Sequence, residues 1–125
     1  MKDNLFNYVE KFIKCGQIQD EAMFTGEYKS SNKTLKITEN IFEMAKESDD
    51  REKFYLEILD VSNSPSALIT CCAHMMKLDI KPNLARKKLE EIRDDEKYHP
   101  IFSFNAKMFL SEWDKGNIKK VVVEE

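Results

Sequence analysis

Three prolines stand at nearly equal intervals in the second half of the chain, at Pro65, Pro82 and Pro100. Each is followed by a segment in which apolar residues recur with the period of an α-helix. Proline is tolerated in the first turn of a helix, where the backbone N–H that it lacks would have no partner anyway. Ser64, which directly precedes the first proline, is also a good helix cap. The spacing therefore predicts three successive helices of similar length, joined by short connections.

The first half of the chain shows the same apolar period. A stripe over residues 5–13 predicts a first helix, and Gly16 interrupts the period, so that a separate short helix is predicted after it. Residues 54–59 predict a further helix. Between this helix and the short one after Gly16, another helix is predicted. Its inner face should carry Leu35, Thr38, Ile41, Phe42 and Ala45.

Residues 67–76 carry no charge unless His74 is protonated, so they predict a helix at the centre of the core. In total the chain predicts an all-α fold of about six short helices, arranged as a HEAT-like right-handed stack, an αα superhelix. An ordinary up-down helical bundle is the alternative. We expect one helical-repeat domain over residues 1–116 and a C-terminal tail over 117–125, in which Val121, Val122 and Val123 form a loosely packed terminus.

Charge and cysteine content exclude several classes of function. The net charge is −3 with a pI near 5.5, and the lysines are mixed with acids, as in residues 39–46 and 87–97, so no nucleic-acid partner is expected. No apolar run is long enough for a membrane span or resembles a signal peptide, so no membrane partner is expected. The three cysteines fit no disulfide framework, which predicts free thiols and a cytoplasmic location.

The chain offers one arrangement with catalytic potential. Cys71 or Cys72 with His74 can form a thiol and imidazole pair on one helix face. Because this helix is the most apolar of the chain and no nucleophile motif surrounds the pair, we interpret the cysteines as core residues. No metal-ligand spacing and no glycine-rich phosphate loop is present, so we predict no catalytic residue, no metal and no cofactor.

Several short motifs, in this order, resemble those of a bacterial family of small HEAT-like all-helical domains. The motifs are Glu21-Ala22, Gly26-Glu27-Tyr28-Lys29, Asn32-Lys33, Ser64-Pro65-Ser66-Ala67, Ala85-x-x-x-Leu89-Glu90-x-Ile92 and Ala106-x-x-x-Leu110-x-x-Trp113. The resemblance covers roughly Leu5 to Trp113, and the Cys71-Cys72 pair and the charged tail depart from the pattern. The resemblance implies an all-α superhelix without catalytic residues. Some proteins of this kind are encoded beside polymorphic toxins and resemble immunity proteins.

We therefore predict a non-enzymatic protein-binding module, specifically an immunity-type protein that neutralises a cognate toxin by direct binding. Carboxylates on loops and helix ends are expected to complement a basic partner, and an exposed aromatic residue is expected to join them. The predicted partner-binding residues are Asp49, Asp50, Asp94, Asp95, Glu96 and Tyr98. A helical-repeat adaptor or subunit of a cytoplasmic complex is the first alternative, and a small enzyme using the cysteines is the second. The sequence leaves the oligomeric state open.

Overall fold

A computed structural model of the chain describes residues 4–121 and contains only helices within that range. A 3-10 helix, Leu5–Tyr8, is followed by six α-helices. These are α1 (Val9–Thr25), α2 (Tyr28–Lys46), α3 (Arg51–Val61), α4 (Pro65–Lys77), α5 (Pro82–Asp94) and α6 (Pro100–Asp114). The predicted all-α class is confirmed, and each of the three prolines begins a helix. None of the helices described combines the length and the apolar character that crossing a membrane requires.

The chain divides into two compact units, whose boundary falls within α4, between Leu68 and Ile69. In the first unit α1 packs along α2, and the 3-10 helix contacts α1, α2 and α3. Three fully buried aromatic rings, those of Phe12, Phe54 and Tyr55, meet edge to face with centroids 5.0 to 6.2 Å apart. Such pairs stabilise a core beyond the area that they bury, so this cluster joins α1 to α3.

Helix α1 passes through Gly16 without interruption, so the separate short helix predicted after this glycine is wrong. The reason is a close approach rather than a helix end. A Cβ at Gly16 would clash with the Cβ of Ala67 and would lie 2.6 Å from the Ala67 nitrogen. The helix ends at Thr25, and the left-handed backbone of Gly26 (φ 74°) lets the Gly26 N–H donate to the carbonyl of Ala22 at 2.8 Å.

The buried face of α2 differs from the predicted one. Leu35 is 46% exposed, and Thr34 takes its place in the core. The Thr34 hydroxyl donates to the carbonyl of Ser31 at 2.7 Å and accepts from the amide of Gln19 at 3.0 Å. Because both of its hydrogen-bonding capacities are used locally, the threonine is buried without leaving a polar atom unsatisfied.

The start of α4 is held by a side chain from α1. Ser64 caps the helix, since its Oγ accepts from the backbone N–H of Ala67 at 3.1 Å, which confirms the predicted helix start. The carboxylate of Asp20 accepts from the Ser64 hydroxyl at 2.7 Å and from the Ser66 N–H at 2.9 Å. A negative charge thus lies against the positive end of α4.

In the second unit, α5 packs against α6. Arg86 donates two hydrogen bonds to the carboxylate of Asp114, at 2.8 and 2.9 Å, and so joins the two helices. The hydrogen bond from Arg86 lowers the pKa of Asp114. In the tail, Val121 donates its N–H to the carbonyl of Lys77 at 2.7 Å. The prediction for Val122 and Val123 lies outside the described residues.

Candidate functional site: an acidic pocket at the turn between two helices

The predicted partner-binding residues fall into two groups. Asp49 and Asp50 lie in the turn between α2 and α3, in the first unit. The other four, Asp94, Asp95, Glu96 and Tyr98, lie at the end of α5 and in the connection to α6, in the second unit. The two groups differ in what surrounds their carboxylates.

The first group borders a surface pocket of about 490 Å³. Its lining residues come from the 3-10 helix, the end of α2 and the turn that follows. They are Asn4, Leu5, Met44, Glu47, Ser48, Asp49 and Asp50. The volume is in the range of pockets that take small ligands, and it is ample for one long side chain. The lining combines apolar side chains with three carboxylates, which suits a group that is aliphatic along its length and positive at its tip.

The turn itself is fixed without the use of these carboxylates. Arg51 donates to the carbonyl of Ser48 at 2.8 Å, and the Ser48 Oγ accepts from the N–H of Asp50 at 3.0 Å. Asp50 precedes α3, but its side chain makes no capping hydrogen bond. Within residues 4–121, Glu47, Asp49 and Asp50 form no ion pair, and all three are exposed. Their charge is therefore available to a cation from outside.

A second, smaller hollow of about 210 Å³ shares Met44 with this pocket. It lies where the 3-10 helix and α1 meet α2. Its lining residues are Tyr8, Lys11, Ile37, Asn40, Ile41 and Met44. The two hollows together offer an extended partner more contact than a single side-chain pocket.

In the second predicted group one carboxylate is neutralised by an ion pair and another accepts a backbone hydrogen bond. Asp94 accepts two hydrogen bonds from Arg93, both at 2.7 Å, which lower the pKa of the Asp94 carboxyl. Asp95 accepts from the backbone N–H of Lys97 at 3.0 Å, and the Lys97 ammonium lies 5.1 Å from the ring centre of Tyr98. Glu96 alone of the four has an exposed carboxylate without a bond to the described residues. This connection therefore presents less free charge than the pocket.

The Cys71, Cys72 and His74 set is buried. Both thiols have no exposed surface, and the Cys71 thiol lies 3.9 Å from the sulfur of Met75. Burial raises the pKa of Cys72 to about 12 and that of Cys71 well above its usual value. Burial, aided by the charge of Lys77, lowers the pKa of His74 to about 3. At neutral pH the thiols stay protonated and the imidazole is a poor base, which favours the interpretation as core residues.

Of the seven lining residues, only Asp49 and Asp50 were predicted from the sequence as binding residues. Glu47 directly precedes the predicted pair and could have been included from the acidic run alone. Leu5 and Met44 could not, because their role depends on the 3-10 helix meeting the end of α2. Among residues 4–121 no group of three or more histidine, cysteine or carboxylate side chains is placed to hold a metal ion.

Comparison of the chain with protein-family models, with curated proteins and with solved structures finds no match. The resemblance to immunity-type proteins therefore stays a prediction.

Proposed function

We propose that the chain is a non-enzymatic protein-binding module whose acidic pocket receives a basic side chain of its partner. The observation that supports this most is the set of three carboxylates, Glu47, Asp49 and Asp50, which surround a pocket and form no ion pair with the described residues. A lysine or arginine entering the pocket gains their attraction, while its aliphatic stem contacts Leu5 and Met44.

The partner class that fits best is a basic toxin, which makes the chain an immunity-type protein of the cytoplasm. An acidic face raises the rate of encounter with a basic partner, and fast encounter is what a neutralising protein needs. The HEAT-like arrangement of the helices belongs to the same proposal, since stacked helix pairs offer extended binding surfaces.

The test begins with a pull-down from the native host, using the wild-type chain and the charge-reversed variant Asp49→Lys/Asp50→Lys. The control is Glu57→Lys/Asp60→Lys, which makes the same change of charge at exposed positions on α3, outside the pocket. We expect one stoichiometric partner with the wild type and the control. The pocket variant should bind that partner at least about 100-fold more weakly, because it sets like charges against each other.

Cell survival then separates the candidate partners. If the captured protein is a toxin, co-expression of the wild-type chain should protect cells that express it, and the pocket variant should not. Failure of the wild type to protect would refute the immunity role. A captured subunit of a cytoplasmic complex would identify the chain as an adaptor instead. A partner that binds the pocket variant as tightly as the wild type would refute the proposal that the pocket is the binding site.

A further inference from the structure

The outer face of α2 carries a single straight line of polar residues, here named the charged stripe. Its members are Lys29, Lys33, Lys36, Asn40, Glu43 and Glu47, and all six are exposed. They are spaced alternately four and three residues apart, and the whole stripe spans five turns of helix, about 27 Å. The opposite face is the buried one, formed by Thr34, Thr38, Ile41 and Ala45.

The charges of the stripe are separated along the helix. The three lysines occupy the N-terminal half, and both glutamates lie at the C-terminal end. Of these charges only Glu43 is paired among the described residues, with Lys46 at 3.1 Å on the exposed surface. Lys29, Lys33, Lys36 and Glu47 form no ion pair there.

This order is unfavourable for the isolated helix. The N-terminal end of a helix is positive and its C-terminal end negative, so Lys29 in the first turn and Glu43 in the last are both misplaced. Glu27 and Lys46, which lie at the favourable ends, offset only part of the effect. The stability of α2 therefore does not explain the order of charges along the stripe.

The charges of the stripe are, however, complementary to those of a second copy of the stripe that runs in the opposite direction. Lys29 and Glu47 each lie nine residues from Thr38, and Lys33 and Glu43 each lie five residues from it. Lys36 and Asn40 each lie two residues from the same point. A second α2 laid antiparallel across this point would place each outer lysine opposite a glutamate, and by symmetry would do so twice.

We propose that the outer face of α2 docks a second copy of this chain, antiparallel, about a two-fold axis that crosses the stripe between Lys36 and Asn40, at the level of Thr38 along the helix. A purely acidic or purely basic partner would match only one half of the stripe, whereas a second copy matches both. Tyr28 and Leu35, which are 77% and 46% exposed, flank the basic half and add apolar contact. The inference shares Glu47 with the pocket but does not require that a partner binds there.

Two charge-reversed variants test the proposal by sedimentation at low salt. Lys29→Glu/Lys33→Glu places two glutamates at each end of the stripe, and Glu43→Lys/Glu47→Lys places two lysines at each end. We expect the wild type at twice the chain mass of 14.7 kDa, and each variant alone at the single mass, because like charges then face each other. An equal mixture of the two variants should return to the double mass as a heterodimer. Lys14→Glu/Lys53→Glu, with the same charge change on exposed residues of α1 and α3, should behave as the wild type.

The ionic strength provides a second readout. Because the pairs are exposed, raising the salt from about 0.05 to 0.5 M should weaken the dimer about tenfold or more. A wild type that stays at 14.7 kDa up to roughly 0.5 mM at low salt overturns the proposal, since even a weak dimer would then be populated. Variants that still dimerise alone, or a mixture that stays monomeric, overturn it equally.

Discussion

Replacing Asp20 should show how much a single side chain of α1 stabilises the start of α4. The carboxylate accepts from the Ser64 hydroxyl at 2.7 Å and from the Ser66 N–H at 2.9 Å. Hydrogen bonds to a charged group contribute about 1.5 to 3 kcal/mol each, and the charge at the helix N-terminus adds about 0.5 kcal/mol. From the lower values, we expect Asp20→Ala to reduce the free energy of unfolding by about 3.5 kcal/mol.

Asp20→Asn removes the negative charge of this side chain and keeps its shape. The amide oxygen can still accept from the Ser66 N–H, but the amide nitrogen cannot accept from the Ser64 hydroxyl, so we expect a loss of about 1 to 2 kcal/mol. Urea unfolding followed by far-UV circular dichroism measures both variants. Glu21→Ala, an exposed neighbour on α1, is the control and should change the stability by less than about 0.5 kcal/mol.

A double-mutant cycle shows whether Asp20 stabilises the chain through its hydrogen bond with Ser64. Ser64→Ala removes both the partner of Asp20 and the cap of α4, and should cost about 1 kcal/mol or more. Since the two residues are in contact, the double variant should lose less than the sum of the single losses. Additive losses, or an Asp20→Ala variant as stable as the wild type, would refute the assignment of Asp20 as a cap.

Three further predictions concern packing and buried groups. Gly16→Ala should destabilise the fold by about 1 to 2 kcal/mol in thermal unfolding, because the new Cβ would meet Ala67, whereas Gln17→Ala on the exposed side should be neutral. The pKa of His74 is about 3 when folded and 6.5 when unfolded, so the unfolded chain takes up the proton first as the pH falls. Stability should then decrease by about 2 kcal/mol from pH 7.5 to 5, and His74→Gln should remove that slope. Thiol reagents should modify Cys72 only in urea, and rapid modification of the native chain would revive the enzyme alternative.

The parts of the fold that could be predicted from the sequence are those with local causes. The Ser64-Pro65 pair predicts where α4 begins because both residues act within the first turn. The second half of the same cap could not be predicted, since Asp20 lies 44 residues from Ser64 in sequence. The prediction at Gly16 was wrong for the same reason. A glycine in a helical pattern indicates a helix end unless a close neighbour, here Ala67, is known to require it.

The candidate site shows the same division. Asp49 and Asp50 could be selected because an acidic run between two apolar stripes has to be exposed. That they border a pocket, and that Arg93 neutralises Asp94 in the second acidic group, depends on contacts that the sequence pattern does not encode. The apolar period also predicted that Leu35 would be buried. The two hydrogen bonds that allow Thr34 to be buried instead depend on Gln19 and Ser31, and the apolar period carries no information about them.

The charged stripe cannot be predicted from the net charge of continuous segments, because its residues lie three and four apart along one helix face. Residues 39–46 mix acids with a lysine, which is typical of a solvated helix, and the whole chain is acidic at −3. Electrostatic attraction at physiological salt is screened beyond about 8 Å, which is much shorter than the stripe of about 27 Å. Each half of the stripe therefore acts on what lies directly opposite it, largely independently of the net charge. For this reason an acidic chain can attract its own copy, provided that the copy runs in the opposite direction.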